Sequence, residues 1–214
     1  MKSIQSKILT VVILGLLVIT IAVSAIAVRM THNIMHKDAD RILNNVCQKE
    51  AAYINDMLND ITKSAQIMEH YATTELESPQ SLKNDAYRAN YIEKTKNMFD
   101  EIALNTNGVQ GYYLRLNPEI STYVSGFYNT INENGIVINQ PVLNLSNYSP
   151  ENESYVGWYY TAINAGEGVW LEPYHFPVSK TLLISYVVPF YVDNLLVGVI
   201  GFDLDFEYLI NYIN

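Results

Sequence analysis

Two apolar runs near the C-terminus, Thr181 to Tyr191 and Leu195 to Leu204, limit what this chain can become. Both are rich in Val, Ile, Leu, Phe and Tyr, which suit a pleated, half-buried surface, and Asp193-Asn194 between them is a turn signal. The pair therefore reads as neighbouring strands. Ahead of them, from Tyr155 onward, both tryptophans, Trp158 and Trp170, stand among tyrosines and phenylalanines. That layout is an aromatic lining carried on a sheet.

At the other end, Ile8 to Val28 contains no charged residue. At about 1.5 Å per residue it covers a hydrocarbon core of about 30 Å, so it can span a membrane. A secretory signal peptide is the rival reading, because Ala25-Ile26-Ala27 fits a small-x-small cleavage site. Signal peptides, however, use about 7 to 15 apolar residues, and this run is longer, which favours an uncleaved anchor. Residues 1–7 then form a tail and 8–28 the transmembrane helix. Lys2 and Lys7 precede the span while Arg29, Lys37 and Arg41 follow it, so the positive-inside rule does not orient it.

Residues 31–77 contain neither proline nor glycine, and Ile34, Leu43, Val46, Tyr53, Met57, Ile61, Ala65, Met68, Ala72 and Leu76 recur at helical spacing. The expectation is one long amphipathic stalk helix, packing its stripe on its own domain or on a second copy as a parallel homodimer. Ser78-Pro79 ends it. A second helix is expected over 84–106, closed by Asn107-Gly108. The remainder, 107–214, turns to strands: Val109 to Leu116, Thr122 to Tyr128 and Ile136 to Ile138, the last entered through Asn134-Gly135, a hairpin dipeptide. With the two strands above, this makes five, with a short helix at Trp158 to Asn164. The predicted class is α+β: a transmembrane helix, a stalk helix, then a PAS-like antiparallel five-stranded sheet with flanking helices.

Charge excludes one class of partner. Lys2, Lys7 and Arg29 are three of the 13 basic residues, and all 22 acidic residues come later. The part beyond Arg29 is therefore strongly acidic and repels nucleic acid. No catalytic constellation is visible: there is no Walker-type loop, G-x-S-x-G, H-E-x-x-H or C-x-x-C. His32 and His36 stand four apart on a helix but lack a third ligand, and a solvated face accounts for them, so no metal and no cofactor is expected. Gly198 and Gly201 lie within a strand and allow a close neighbouring backbone. Cys47 is the lone cysteine and can bridge only to a partner.

The order VGWYY, GxGxW, EPY, ISYxxPFY and GVIGFDLD resembles the membrane-distal lobe of the double Cache domain, a family of PAS-like extracytoplasmic sensors on bacterial chemoreceptors, histidine kinases and cyclic-di-GMP enzymes, and the resemblance covers roughly Val109 to Ile213. The resemblance implies a plasma-membrane protein whose sensor domain lies outside. It also implies a ligand site, with Trp158 and Tyr159, Trp170 and Tyr174 beside Glu172-Pro173, and Asp203 holding a ligand ammonium group. Packing alone would also explain aromatic residues at these positions. Asp203 shares its strand face with Leu195, Val197, Val199 and Gly201, so its carboxylate meets an apolar surface and must find a partner there; Asp205 is the better cap for the helix that follows.

Two departures from the amino-acid-binding version of the family bear on the ligand. Val156 stands where that version has a carboxylate-gripping arginine, and Phe176 where it has an acid. Arg115 can replace the arginine only if it points inward, and a surface position is expected for it. Rings and one carboxylate without an arginine favour an amine-like small molecule. The resembled receptors continue into a membrane-proximal lobe, a second span and an output domain, so a chain reaching Asn214 without them is expected to be a fragment or to act through a partner. The reading is a non-enzymatic, membrane-anchored sensing module. The alternatives are a membrane-anchored interaction or adaptor domain without a small-molecule pocket, and a secreted enzyme. A cavity lined by Trp158, Tyr174 and Asp203 distinguishes the first from both.

Overall fold

The computed structural model describes residues 4–122, 124–176 and 181–213. The chain divides into two compact units, Met1–Ala52 and Tyr53–Asn214. Helix α1 runs over Ile4–Glu75 without a break, because no glycine or proline interrupts the sequence between Gly15 and Pro79. Within the first unit, every residue from Ile8 to Val28 is exposed, and α1 is the one described helix long and apolar enough to cross a membrane. Ile34, Leu43 and Val46 are exposed there as well.

In the second unit the stripe is covered. Met57, Ile61, Ala65, Met68, Ala72 and Leu76, spaced three and four apart, are all buried. The helix gives way to a 3-10 turn, Pro79–Lys83, capped by Ser78, whose Oγ accepts from the Ser81 amide at 3.3 Å. Asn84 then caps α2, Asp85–Leu104, its Oδ1 accepting from the Tyr87 amide at 3.0 Å.

The sheet is antiparallel: β1 Gly111–Leu116, β2 Gly126–Ile131, β3 Val137–Gln140, β4 Val169–Trp170, β5 Tyr174–His175, β6 Leu182–Val192 and β7 Leu195–Asp205, in the order β3-β2-β1-β7-β6-β4, with β5 also on β6. Helices α3, Glu153–Ala165, and α4, Phe206–Ile213, complete the chain. Five of these strands are the expected ones; β4 and β5 have two residues each, too short to show alternation. The second strand starts later than Thr122 because Thr122 and Ser125 close a turn, the Ser125 amide donating to the Thr122 carbonyl at 3.1 Å; Tyr123 lies outside the described residues. Asp193 and Asn194 both take positive φ, 52° and 63°, the two left-handed positions of a tight hairpin turn between β6 and β7.

The two sheet faces carry different cores. Tyr112, Leu114 and Leu116 alternate on β1 toward the core that contains the buried stripe of α1 and Phe99 of α2, together with Ile200, Phe202 and Leu204 of β7. A polar clamp ties α2 to this face: Asp100 accepts hydrogen bonds from Tyr112 Oη at 2.5 Å, Asn129 Nδ2 at 2.9 Å and Lys96 Nζ at 2.7 Å. The opposite face carries Tyr113, Val187 and Val199 under Val156, Trp158, Tyr159 and Ala162 of α3. A bulge sets Tyr191 against Leu196 and Phe190 against Gly198, and the extra residue Val197 joins the α1 and α2 core, so it does not share the face of Asp203.

Candidate ligand-binding site

Strand register lays out the floor of the site. On the α3 face the paired positions form successive rows across β2, β1, β7 and β6. The first contains Gly111, Asp203 and Ser185; the next Tyr128, Tyr113, Gly201 and Val187; the third Arg115 and Val199. Glycine at 201 is required because the ring of Tyr113 lies where a Cβ would stand; the expectation of a close neighbouring backbone holds at Gly198, which faces the Arg115 carbonyl.

Above this floor is a cavity of ≈ 210 Å³, bounded by Tyr113, Arg115, Tyr128, Trp158, Tyr174, Phe176 and Asp203, with Pro141 to Asn144 closing one side. It is smaller than the roughly 300–1,000 Å³ of pockets for drug-sized ligands, a size suited to a small metabolite. The rings are mutually braced: Tyr113 meets Trp158 edge-on at 4.9 Å and Tyr128 at 6.0 Å, and Tyr128 meets Phe176 at 6.1 Å. The Trp158 Nε1 donates to the Tyr155 carbonyl at 2.9 Å, which fixes the indole within α3.

Asp203 closes one end and is 4 % exposed. Ser185 Oγ donates to its Oδ1 at 2.6 Å, and Tyr128 adds a second hydrogen bond. With its proton committed to the carboxylate, Ser185 accepts from Tyr174 Oη at 3.0 Å, so tyrosine, serine and aspartate form a directed chain. Burial pushes the Asp203 carboxyl up to about 6, against the lowering effect of the Ser185 and Tyr128 hydrogen bonds. Tyr113 Oη, also raised by burial and then by the charge of Asp203, is buried without a hydrogen-bond partner among the described residues.

Arg115 closes the other end. The expectation of a surface position fails: the residue is 2 % exposed, because alternation on β1 turns it to the α3 face with Gly111 and Tyr113. Burial lowers its guanidinium to about 10, and the nearby Tyr159 acts in the opposite sense.

Of the residues singled out from sequence, Trp158, Tyr174 and Asp203 come together around the cavity. Tyr159 is on the next position of α3 and borders a separate groove with Asn117, Glu119 and Leu196. Trp170 is half-buried on the other sheet face, 5.1 Å from Tyr186. Tyr113 and Tyr128 were not singled out, although the alternation of VQGYYLRL separates Tyr113 and Arg115 from Tyr112, Leu114 and Leu116. Nothing in the polar run 139–154 marked Pro141 to Asn144 as a wall.

A family model described as methyl-accepting chemotaxis protein-like, first PDC sensor domain, matches residues 95–211. No curated protein sequence matches the chain. Among solved structures, the ligand-binding domain of the Campylobacter jejuni chemoreceptor Tlp3 in complex with L-norvaline is similar at a TM-score of 0.54 and 18% identity, over 79% of this chain and 59% of that one. The same sensory domain with isoleucine bound gives 0.54 and 18%, over 79% and 60%. The extracellular domain of soHK1S-Z6, described as a candidate histidine kinase, gives 0.60 and 20%, over 81% and 64%. At these identities the likeness is one of fold, and the chain spans about three-fifths of the length of each.

Proposed function

The chain belongs to the methyl-accepting chemotaxis protein-like family of first PDC sensor domains, and from that premise we propose that it is the extracytoplasmic sensing lobe of a membrane-anchored receptor which binds a small amine-bearing molecule in the cavity between α3 and the sheet. The module itself is a sensor and carries no reaction.

The observation that carries the reading is the buried carboxylate at the cavity wall. A carboxylate desolvated among Tyr113, Tyr128, Tyr174 and Trp158 gains most from a cation that replaces its lost water, and an ammonium group can donate to Asp203 while satisfying Tyr113 Oη. Ring faces add about 0.5 to 2 kcal/mol for a desolvated cation. The Tlp3 complexes support this choice, since norvaline and isoleucine each carry an ammonium. Trp158, Tyr174 and Asp203 form the binding set in this reading; Tyr159 and Trp170 support it from outside the cavity. Ile8 to Val28 anchors the chain, and α1 joins two copies in parallel.

The test is a thermal-shift and calorimetric screen of the full chain in detergent against alkylamines, amino acids, organic acids and sugars. A ligand at a hundred times its dissociation constant stabilises by about 2.7 kcal/mol. Binding of amine-bearing compounds that disappears in Asp203→Asn supports the reading. Binding of organic acids alone, or amine binding indifferent to Asp203→Asn, defeats it.

A further inference from the structure

The cavity has a charged group at each end, and their spacing is informative. Asp203 pairs with Gly111 on β1, and Arg115 is four residues further along the same strand and on the same face. At about 3.3 Å per residue the two backbone positions are about 13 Å apart. Tyr113, Tyr128 and Gly201 fill the row between them.

The arginine also has a neighbour at the far end of the site. Its charge acts on Tyr159, and Tyr159 borders the groove formed with Asn117, Glu119 and Leu196, all of which lie beyond Arg115 in the direction away from Asp203. Arg115 is also among the residues that bound the cavity holding Asp203. A guanidinium has five N–H donors in a planar fork, enough to hold a ligand carboxylate in addition to a protein partner.

We propose that Arg115 is the anion-binding end of this cavity and that the ligand is an ω-amino acid, a molecule whose ammonium and carboxylate are separated by a short methylene chain. The inference rests on the reading of the cavity as an amine site and adds its length. In an α-amino acid both groups are carried on one carbon, so an ammonium on Asp203 leaves the carboxylate beside the rings, where Tyr113 Oη offers one neutral donor and no positive charge. A methylene chain instead lies along the apolar surface of Tyr113 and Trp158 and delivers the carboxylate to Arg115. In this proposal the anion partner that Val156 does not provide on α3 comes from Arg115 on β1, in addition to the amine site at Asp203.

The test compares L-valine with 5-aminopentanoate, which are isomers differing in charge separation, and both with pentylamine, by calorimetry on the full chain in detergent. One charge-assisted pair contributes roughly 1.5 to 3 kcal/mol, so 5-aminopentanoate should bind at least about tenfold more tightly than either competitor. In Arg115→Gln its advantage over pentylamine should collapse to about threefold or less, with pentylamine itself gaining because a like charge has gone. Arg115→Lys, which keeps the charge but not the fork, should retain part of the advantage, and it serves as the readout if Arg115→Gln does not fold. L-valine binding as tightly as its isomer, or an unchanged ratio in the arginine variants, overturns the proposal alone. If none of the three compounds binds, the amine reading falls with it.

Discussion

Replacing Asp203 by asparagine separates the two effects of its carboxylate, and they have opposite signs. The carboxyl titrates at 3.8 in the unfolded chain and at about 6 in the fold. Its folded pKa is raised, so the group favours folding most below about 4, and that contribution is lost as pH rises through 6. At pH 7.5 the native protein holds an ionised carboxylate at a cost of about 3 kcal/mol relative to a neutral group. Asparagine keeps the acceptor for Ser185 but turns an amide toward one of the donors now facing the carboxylate, which returns about 1 kcal/mol. The net expectation is a gain of about 2 kcal/mol, or about 4 to 8 °C in Tm for a chain of this length. The gain should shrink toward zero at pH 5, where wild-type Asp203 is protonated in the fold. Amine affinity should move the other way, falling by about ten- to a hundredfold at pH 7.5 with the loss of the ion pair. Circular-dichroism melts in detergent between pH 5 and 8, paired with calorimetry, read both effects. An asparagine variant less stable than wild type at pH 7.5, with a difference that does not vary with pH, would refute the reasoning.

Three further outcomes are expected. In the wild type, amine affinity should decline by about tenfold per pH unit below 6 as Asp203 takes up its proton, and a flat calorimetric profile from pH 7.5 to 5 would exclude the carboxylate as the anchor. Asp100→Ala leaves Tyr112 Oη and the buried Asn129 amide without their acceptor and should cost about 2 to 3 kcal/mol in chemical denaturation, with α2 loosened from the sheet; a loss under about 0.5 kcal/mol would show the clamp to be incidental. Mild oxidation should link Cys47, exposed on α1, to its mate in a second copy if the parallel dimer forms through that face, and non-reducing electrophoresis reads the result.

Legibility followed the length of each periodic signal. The stripe from Met57 to Leu76 repeats through several helical turns, and β6 and β7 each extend for eleven residues, so their type was fixed by pattern. Asp203 stood out because a carboxylate in an apolar strand needs a partner, and in the fold Ser185 and Tyr128 supply hydrogen bonds to it. Tyr159 and Trp170 were placed in the ligand site by the family resemblance, and neither is among the residues that bound the cavity. On a helix, consecutive positions diverge by about 100°, so Trp158 in the cavity turns Tyr159 away. Trp170 is on a strand of two residues, where no alternation is available to assign a face.

Arg115 shows where reasoning from residue type gives way to register. As a type, arginine belongs on the surface, and composition offers nothing against that. Its face is fixed by Asp203, since β1 and β7 pair with Gly111 opposite Asp203, and any residue an even number of positions from Gly111 on β1 shares the carboxylate's side. A slip of one residue in that pairing would send Arg115 and Tyr113 into the core filled by Tyr112 and Leu114, burying a guanidinium among leucine and phenylalanine side chains. The apolar demand of the α1 and α2 core thus holds the arginine in the cavity.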